Sequence, residues 1–161
     1  MSKIVFWSPL HGQGQTSNLH LLALIISLLY KKKILLMQTH ISMNNLEGPL
    51  VGRNVDPISN ESDIFQDIGL DAAVMYSRIN MLKESTLESC CITFPDISLL
   101  LLPGTGLKNR EIFDRDIGKN LLRMTEQAGN YVDIVMIDAN SGNDDLSFRL
   151  MESADLVIVN L

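Results

Sequence analysis

Residues 8–17 (SPLHGQGQTS) place two glycines and three hydroxyl side chains in one short loop. Gly12 and Gly14 let the backbone approach a small anion closely, because neither residue has a Cβ atom. Thr16 comes near the end of the loop, where a hydroxyl can bind Mg²⁺. The apolar residues that follow indicate a helix, whose first N–H groups and positive dipole end attract anions. We therefore predict a phosphate site formed by Gly12, Gln13, Gly14, Gln15, Thr16 and Ser17.

The loop matches only part of the phosphate-binding pattern G-x-x-x-x-G-K-[ST]. Gly14 and Thr16 align with its second glycine and its hydroxyl residue, whereas Pro9 stands for the first glycine and Gln15 for the lysine. Glycine-rich turns also join strands to helices without binding anything. A phosphate site and a simple connecting turn therefore both remain open at this point.

A second candidate is Asp138, which follows the apolar residues 132–137. Parallel sheets bind ligands at the carboxyl ends of their strands, so an acid at this place can reach a bound Mg²⁺. Thr16 and Asp138 are then the metal ligands. Asp138 can instead cap the turn that follows it, because residues 138–142 (DANSG) have the composition of a tight turn.

Short apolar runs alternate with helical patterns along the chain, which is typical of a parallel sheet connected by helices. Most runs are apolar throughout, as in strands that are covered on both faces. The predicted strands span residues 3–7, 33–37, 97–102, 132–137 and 155–160, and the predicted helices span residues 16–31, 70–83, 86–90, 110–128 and 144–152. We expect an α/β fold of three layers (α/β/α) with a mostly parallel sheet.

Three segments bear on the domain organisation. Residues 19–30 (LHLLALIISLLY) are nearly all apolar but too short to cross a bilayer, which takes about 20 residues, so we expect a core helix buried on most sides. Residues 53–63 (RNVDPISNESD) predict a loop, and no linker divides the chain. Residues 1–161 are therefore expected to form one domain. Because the chain stops just after a predicted strand, we expect it to be truncated at its C-terminus.

The composition of the chain argues against some classes of ligand and partner. The chain has 161 residues, with 13 Lys and Arg against 19 Asp and Glu, and its formal net charge is −6. This balance argues against direct binding to nucleic acid, which needs a basic face. Cys90 and Cys91 are adjacent and give neither a disulfide framework nor a zinc-binding spacing. We expect a cytoplasmic protein with no membrane contact through this chain.

The order of these motifs resembles the MinD/ParA family of P-loop ATPases. The family's loop has the form K-G-G-x-G-K-[ST]-[ST], and residues 10–17 (LHGQGQTS) correspond to it. Similar segments follow in the family's order: Gln38-Thr39-His40 for D-x-D, Asn45-Leu46-Glu47 for N-L-[DE], 102–105 (LPGT) for the L-P-x-G loop, 134–142 (IVMIDANSG) for the Walker B strand and switch II, and 153–159 (SADLVIV) for A-D-x-V-I-V. Relatives of the CpaE/TadZ type, which act in pilus assembly and flagellar placement, are the most similar in kind because some have degenerate loops.

The resemblance implies a P-loop fold that binds ATP or ADP over residues 12–17, with Mg²⁺ held by Thr16 and Asp138. It implies that Ser141 and Gly142 form a flexible switch that senses the terminal phosphate. It also implies a homodimer that closes face to face over ATP, an unidentified protein partner, and a role in positioning or partitioning.

Four positions depart from the family pattern. Leu10 and Gln15 stand where the family has lysines, and Gln38 and His40 stand where it has two acids. A lysine about 4 Å from a phosphate charge contributes roughly 4 kcal/mol at an effective dielectric constant of 20, whereas a neutral hydrogen bond from Gln15 contributes about 0.5–1.5 kcal/mol. We therefore expect a scaffold or positioning factor that binds nucleotide weakly or not at all and hydrolyses little. A slow but active ATPase is the alternative.

Two further alternatives concern His11 and the fold. His11 beside a bound phosphate would gain positive charge, or it is simply a solvated loop residue. A dinucleotide-binding Rossmann domain would need G-x-G-x-x-G and an acid after the second strand. Ser17 stands in the place of the third glycine, and Gln38 ends that strand, so the sequence supports this fold less well.

Overall fold

The computed structural model describes residues 1–41, 46–52, 68–94 and 96–161. In this part of the chain the strands are β1 (Ser2–Trp7), β2 (Ile34–Gln38), β3 (Ile92–Thr93), β4 (Leu99–Leu101), β5 (Ile134–Asp138) and β6 (Leu156–Val159). The helices are α1 (Gln15–Tyr30), α2 (Glu47–Val51), α3 (Leu70–Arg78), α4 (Glu84–Cys90), α5 (Arg110–Phe113), α6 (Lys119–Ala128) and α7 (Asp145–Glu152). A π-helical turn (Asp114–Gly118) joins α5 to α6.

These strands form one sheet in the order β3-β4-β2-β5-β1-β6. Every neighbouring pair is parallel except β3 and β4, which confirms the expected mostly parallel sheet. β5 lies between β1 and β2, and its last residue, Asp138, pairs with Phe6 on one side and with Gln38 on the other. The register therefore brings the carboxyl ends of the three central strands together at one edge, where parallel sheets bind ligands.

Buried apolar side chains alternate between the two faces of the sheet. Val5, Leu35 and Val135 belong to the core under α3, α4, α6 and α7. Ile4, Leu36 and Met136 belong to a second core, which is covered mainly by α1. Both faces of the central strands are thus covered by helices, which explains their continuous apolar sequences and confirms the three-layer α/β/α architecture.

The expectation that α1 is buried on most sides is wrong. Leu19 and Ala23 are fully buried, whereas Leu21, Leu28 and Leu29 are 59%, 56% and 73% exposed. Residues four positions apart share one face of a helix, so a single stripe of α1 packs on the sheet. In a helix that is apolar all round, the sequence does not indicate which stripe this is. No described helix, α1 included, is long and apolar enough to span a bilayer.

Other elements differ from the predictions in length or were missed. The helix predicted over residues 70–83 ends at Arg78, because Asn80 adopts a left-handed backbone with φ of 58°, which asparagine tolerates. The helix α2 and the strand β3 were not predicted. The loop predicted over residues 53–63 lies outside the described residues. Cys90, the last residue of α4, and Cys91, which follows it, form no disulfide bond among the described residues.

Candidate functional site

The loop between β1 and α1 adopts a conformation that depends on its glycines. Gly12 and Gly14 have φ angles of 81° and 72°, in the left-handed region. No atom lies within 4 Å of a Cβ placed on either residue, so glycine is needed here for backbone conformation rather than for space. Gly14 is also the N-cap of α1 and accepts a hydrogen bond from Asn18 N (2.9 Å).

The backbone N–H groups of residues 11–17 donate to no residue that the structure describes. The hydrogen bonds on either side are those from Leu10 N to Ser8 Oγ (3.3 Å) and from Asn18 N to Gly14 O. The loop and the first turn of α1 therefore present a set of unpaired donors at the positive end of the helix. This arrangement suits an anion.

These residues border a cavity of about 800 Å³ at the carboxyl edge of the sheet. All six residues of the predicted phosphate site line it, as do His40 from the end of β2 and Ser141 from the loop after β5. The described lining comprises Leu10, His11, Gly12, Gln13, Gly14, Gln15, Thr16, Ser17, His20, His40, Ile41, Pro49, Arg110, Asn140 and Ser141. The fold therefore brings together segments that are far apart in the sequence.

Asp138 lies behind this lining, at the end of β5, and is fully buried. The Thr16 hydroxyl donates to its Oδ2 atom at 2.6 Å, and the Gln15 amide donates to its Oδ1 atom at 2.6 Å. His40 Nε2 lies 3.6 Å from the same Oδ1. Of these groups, only His40 can carry a positive charge.

The amide of Gln15 is directed into the protein. Its Nε2 atom donates to Asp138 Oδ1, to Phe6 O (3.0 Å) and to Ala139 O (2.6 Å). Its Oε1 atom is buried and has no hydrogen-bond partner among the described residues. Because the two amide hydrogens already serve three protein acceptors, a ligand phosphate would have to compete for them.

Gln38 and His40, which stand where the MinD/ParA pattern has two acids, have different surroundings. Gln38 is buried and donates to both carboxylate oxygens of Glu47 at 3.2 Å, and it does not line the cavity. Glu47 also accepts from Gly104 N, so α2 and the loop after β4 are joined at the end of β2. His40 lines the cavity. Asn45 lies outside the described residues.

The other two histidines of the chain also line the cavity. His11 is exposed on the loop, whereas His20 is nearly buried in α1 with Nε2 at 2.9 Å from Leu46 O. Burial lowers the pKa of His20 below its ordinary value of 6.5, although the hydrogen bond to Leu46 and the charges of Asp138 and Glu47 oppose this. Sequence reasoning gave no functional role to His20 or to Arg110. Neither belongs to a motif, and only the folded chain places them at the cavity.

Comparison with known proteins identifies the fold. The sequence matches no family model and no curated protein. The structure is similar to a ParA family ATPase from Chlorobium tepidum TLS (TM-score 0.77, 17% identity), covering 98% of this chain and 59% of that one. It is similar to the septum site-determining protein MinD complexed with Mg-ADP from Pyrococcus horikoshii OT3 (TM-score 0.68, 19% identity), and the match covers 99% of this chain and 58% of that one. It is also similar to a structure of the MinC:MinD cell division protein complex from Aquifex aeolicus (TM-score 0.64, 19% identity), where the match covers 99% of this chain and 55% of that one.

The sheet, the two helical layers and the loop before α1 therefore define the class: this is a P-loop NTPase fold. Within that class, the chain has the fold of the MinD/ParA ATPases. It spans a little more than half the length of these structures.

Proposed function

We propose that this chain is a nucleotide-binding protein of the MinD/ParA type that binds ATP or ADP weakly, hydrolyses little, and acts as a scaffold or positioning factor. The observation that carries the proposal is the row of N–H groups at residues 11–17, which have no partner among the described residues and border a cavity of about 800 Å³. Any helix leaves its first N–H groups unpaired, but here they continue a loop whose Gly12 and Gly14 have positive φ angles, and together they border the cavity at the carboxyl edge of the sheet.

Thr16 and Asp138 supply oxygen ligands of the kind that Mg²⁺ prefers. The Thr16 hydroxyl donates its hydrogen to Asp138, so the lone pairs of its oxygen are left for a cation. Among the described residues, no group of three or more His, Cys, Asp or Glu side chains could hold a metal alone. We therefore expect Mg²⁺ to bind together with nucleotide, whose phosphates supply further oxygens. Mg²⁺ in such a site neutralises phosphate charge.

The surroundings of Gln15, Gln38 and His40 argue for little hydrolysis. Phosphoryl transfer needs positive charge against the transferred group and a residue that positions the attacking water. Gln15 is neutral and bonded to Asp138, and Gln38 is bonded to Glu47 away from the cavity. His40 is the remaining candidate for orienting water, but its position 3.6 Å from Asp138 Oδ1 favours an interaction with that carboxylate.

The oligomer, the partner and the cellular role are proposed from similarity. We propose a homodimer that closes over nucleotide, a separate protein partner, and a role in cell or plasmid partitioning or in pilus assembly. The similarity to the MinC:MinD complex supports the idea of a protein partner. We also propose that residues 1–161 are one domain of a longer cytoplasmic protein.

Isothermal titration with ATP and ADP, each with and without Mg²⁺, tests nucleotide binding. We expect micromolar to millimolar dissociation constants and tighter binding with Mg²⁺. Asp138→Asn should remove most of the Mg²⁺ effect, because it removes the charge but keeps an acceptor for Thr16. Asp96→Ala, at an exposed acid remote from the cavity, is the matched control and should bind as the wild type does. No heat of binding for any nucleotide at millimolar concentration would refute the proposal.

Phosphate release from Mg-ATP separates the scaffold from the alternative, a slow ATPase. We expect release no faster than that from the Asp138→Asn variant. Turnover that is measurable in the wild type and in Asp96→Ala, but abolished in Asp138→Asn, would establish the ATPase instead.

A further inference from the structure

The lining of the cavity has an unusual charge distribution for an acidic chain. Of the described side chains that border it, only Arg110 carries a permanent charge, and none is Asp or Glu. His11, His20 and His40 are the other titratable groups of that lining. The cavity of a chain with a net charge of −6 therefore has one fixed charge on its described wall, and that charge is positive.

The guanidinium of Arg110 is held firmly by three elements. Its Nη1 atom donates to Thr39 O at the end of β2 (3.1 Å), and its Nη2 atom donates to Asp144 Oδ1 at the N-cap of α7 (2.6 Å). Its Nε atom pairs with Asp114, four residues further on, at the start of the π-helical turn that follows α5 (3.1 Å). The ring of Phe113 lies under the guanidinium, with 5.1 Å between Cζ and the ring centroid.

These contacts leave donors for a ligand. A guanidinium has five N–H groups, and the described residues engage three of them, so one hydrogen remains on each Nη atom. Asp114 and Asp144 hold the group but do not line the cavity. A fixed fork of N–H donors is well suited to phosphate oxygens and loses little freedom on binding.

The contacts also indicate which part of a nucleotide would reach Arg110. Thr39 accepts a hydrogen bond from Asn140 N through its Oγ1 atom (2.9 Å), so Arg110 lies at the end of the cavity formed by the loops after β2 and β5. Residues 11–17 border the same cavity from the side of α1. Thr39, which accepts from Arg110, also donates its N–H to Asp138 O (2.9 Å), so Arg110 is linked to the end of β5. A phosphate chain that ran along the amides of residues 11–17 towards Asp138 would therefore approach Arg110.

We infer that Arg110 binds the terminal phosphate of a nucleoside triphosphate and so makes this cavity prefer ATP to ADP. The inference rests on the proposed nucleotide binding. It assigns to a residue outside the phosphate loop the positive charge that Gln15 does not supply.

The test compares Mg-ATP with Mg-ADP by isothermal titration in the wild type and in Arg110→Gln. We expect Arg110→Gln to lose about tenfold in affinity for ATP and less than about threefold for ADP, since a hydrogen bond to a charged group is lost only with ATP. Arg110→Lys should recover part of the ATP affinity, because it keeps the charge but not the fork. An equal loss for both nucleotides, or no loss, would overturn the inference.

Asp144→Asn is the matched control for a purely structural role of Arg110. It removes the partner of Nη2, while asparagine still caps α7. If Arg110 contacts nucleotide, Asp144→Asn keeps the wild-type preference for ATP. If Asp144→Asn reproduces the effect of Arg110→Gln, the arginine acts only by joining α7 to β2, and the inference is wrong.

If the wild type binds neither nucleotide, the proposed function and this inference both fail. If it binds both and Arg110→Gln does not discriminate between them, only the inference fails.

Discussion

Gln15 occupies the position where the resemblance implies a lysine, and its side chain is 6% exposed. The sequence predicted that this amide would face a phosphate. In the structure its two hydrogens are used by Asp138 and by the carbonyls of Phe6 and Ala139. A neutral donor thus stabilises a buried carboxylate, so the residue serves the fold at least as much as it could serve a ligand.

Gln15→Met should destabilise the fold by about 2 kcal/mol, because the buried oxygens of Asp138, Phe6 and Ala139 lose their donor. Methionine has a similar length and no hydrogen to donate. Gln13→Met makes the same chemical change on the exposed loop and should alter stability by less than about 0.5 kcal/mol. Urea unfolding of both variants measures the difference. Equal stability of the two variants would show that the Gln15 hydrogen bonds contribute nothing net.

His20 should make stability depend on pH. Its pKa is lowered in the folded protein, so the unfolded chain binds more protons as the pH falls through about 6.5, and the free energy of unfolding decreases. His20→Gln should reduce this decrease between about pH 7.5 and 5.5, while the exposed-site control His11→Gln should leave it in place. Denaturation with urea at several pH values measures the slope. Identical slopes for the wild type and His20→Gln would contradict the prediction.

At the scale of elements, the sequence predicted the long central strands best. Residues 33–37 and 132–137 differ from β2 and β5 by one or two positions, because strands that are buried on both faces have continuous apolar sequences. β3 was missed because Ile92–Thr93 is too short for a pattern. The loop before α1 and Asp138 were predicted to be near each other from strand-end geometry and from the family resemblance. Arg110 could not be placed, because its position depends on contacts with β2 and α7.

The end of β2, the helix α2 and the loop after β4 are joined through Gln38, Glu47 and Gly104. A Cβ on Gly104 would lie 2.6 Å from Gln38 Nε2, and Gln38 is too buried to move without losing Glu47. Gly104→Ala should therefore destabilise the fold by about 1–3 kcal/mol, since the buried carboxylate loses donors. Thermal unfolding followed by circular dichroism measures this.

Gly118→Ala is the matched control for Gly104→Ala. Gly118 has helical backbone angles, and a Cβ there would make only an ordinary contact, 3.4 Å from Leu146 Cδ2. Alanine at this position should stabilise the protein by up to about 1 kcal/mol, because it restricts the unfolded chain. A loss of stability in Gly118→Ala equal to that in Gly104→Ala would show that the contact with Gln38 is not the cause.

At the scale of the whole molecule, the strand order decides where the site can lie. β5 separates β1 from β2, so the residues that follow β1 and those that follow β2 flank the end of β5. The cavity opens at this point, with the loop before α1 on one side and the loops after β2 and β5 on the other. Leu10 borders this opening and is 64% exposed, so it lies on the surface that surrounds the cavity.

If two copies close face to face over nucleotide, Leu10 enters the interface in place of a lysine. We expect the chain to sediment as a species of twice the 18.0 kDa monomer mass with Mg-ATP, and as a monomer without nucleotide. Leu10→Asp should weaken the dimer at least about tenfold at a Mg-ATP concentration that saturates the variant, because it buries a charge where the wild type buries an apolar side chain. Ile79, the apolar residue that follows the C-terminal end of α3, is 55% exposed, and Ile79→Asp should not affect dimerisation.

Analytical ultracentrifugation at several protein concentrations measures both variants. A dimer that forms without nucleotide, or one that Leu10→Asp and Ile79→Asp weaken equally, would place the interface elsewhere on the molecule.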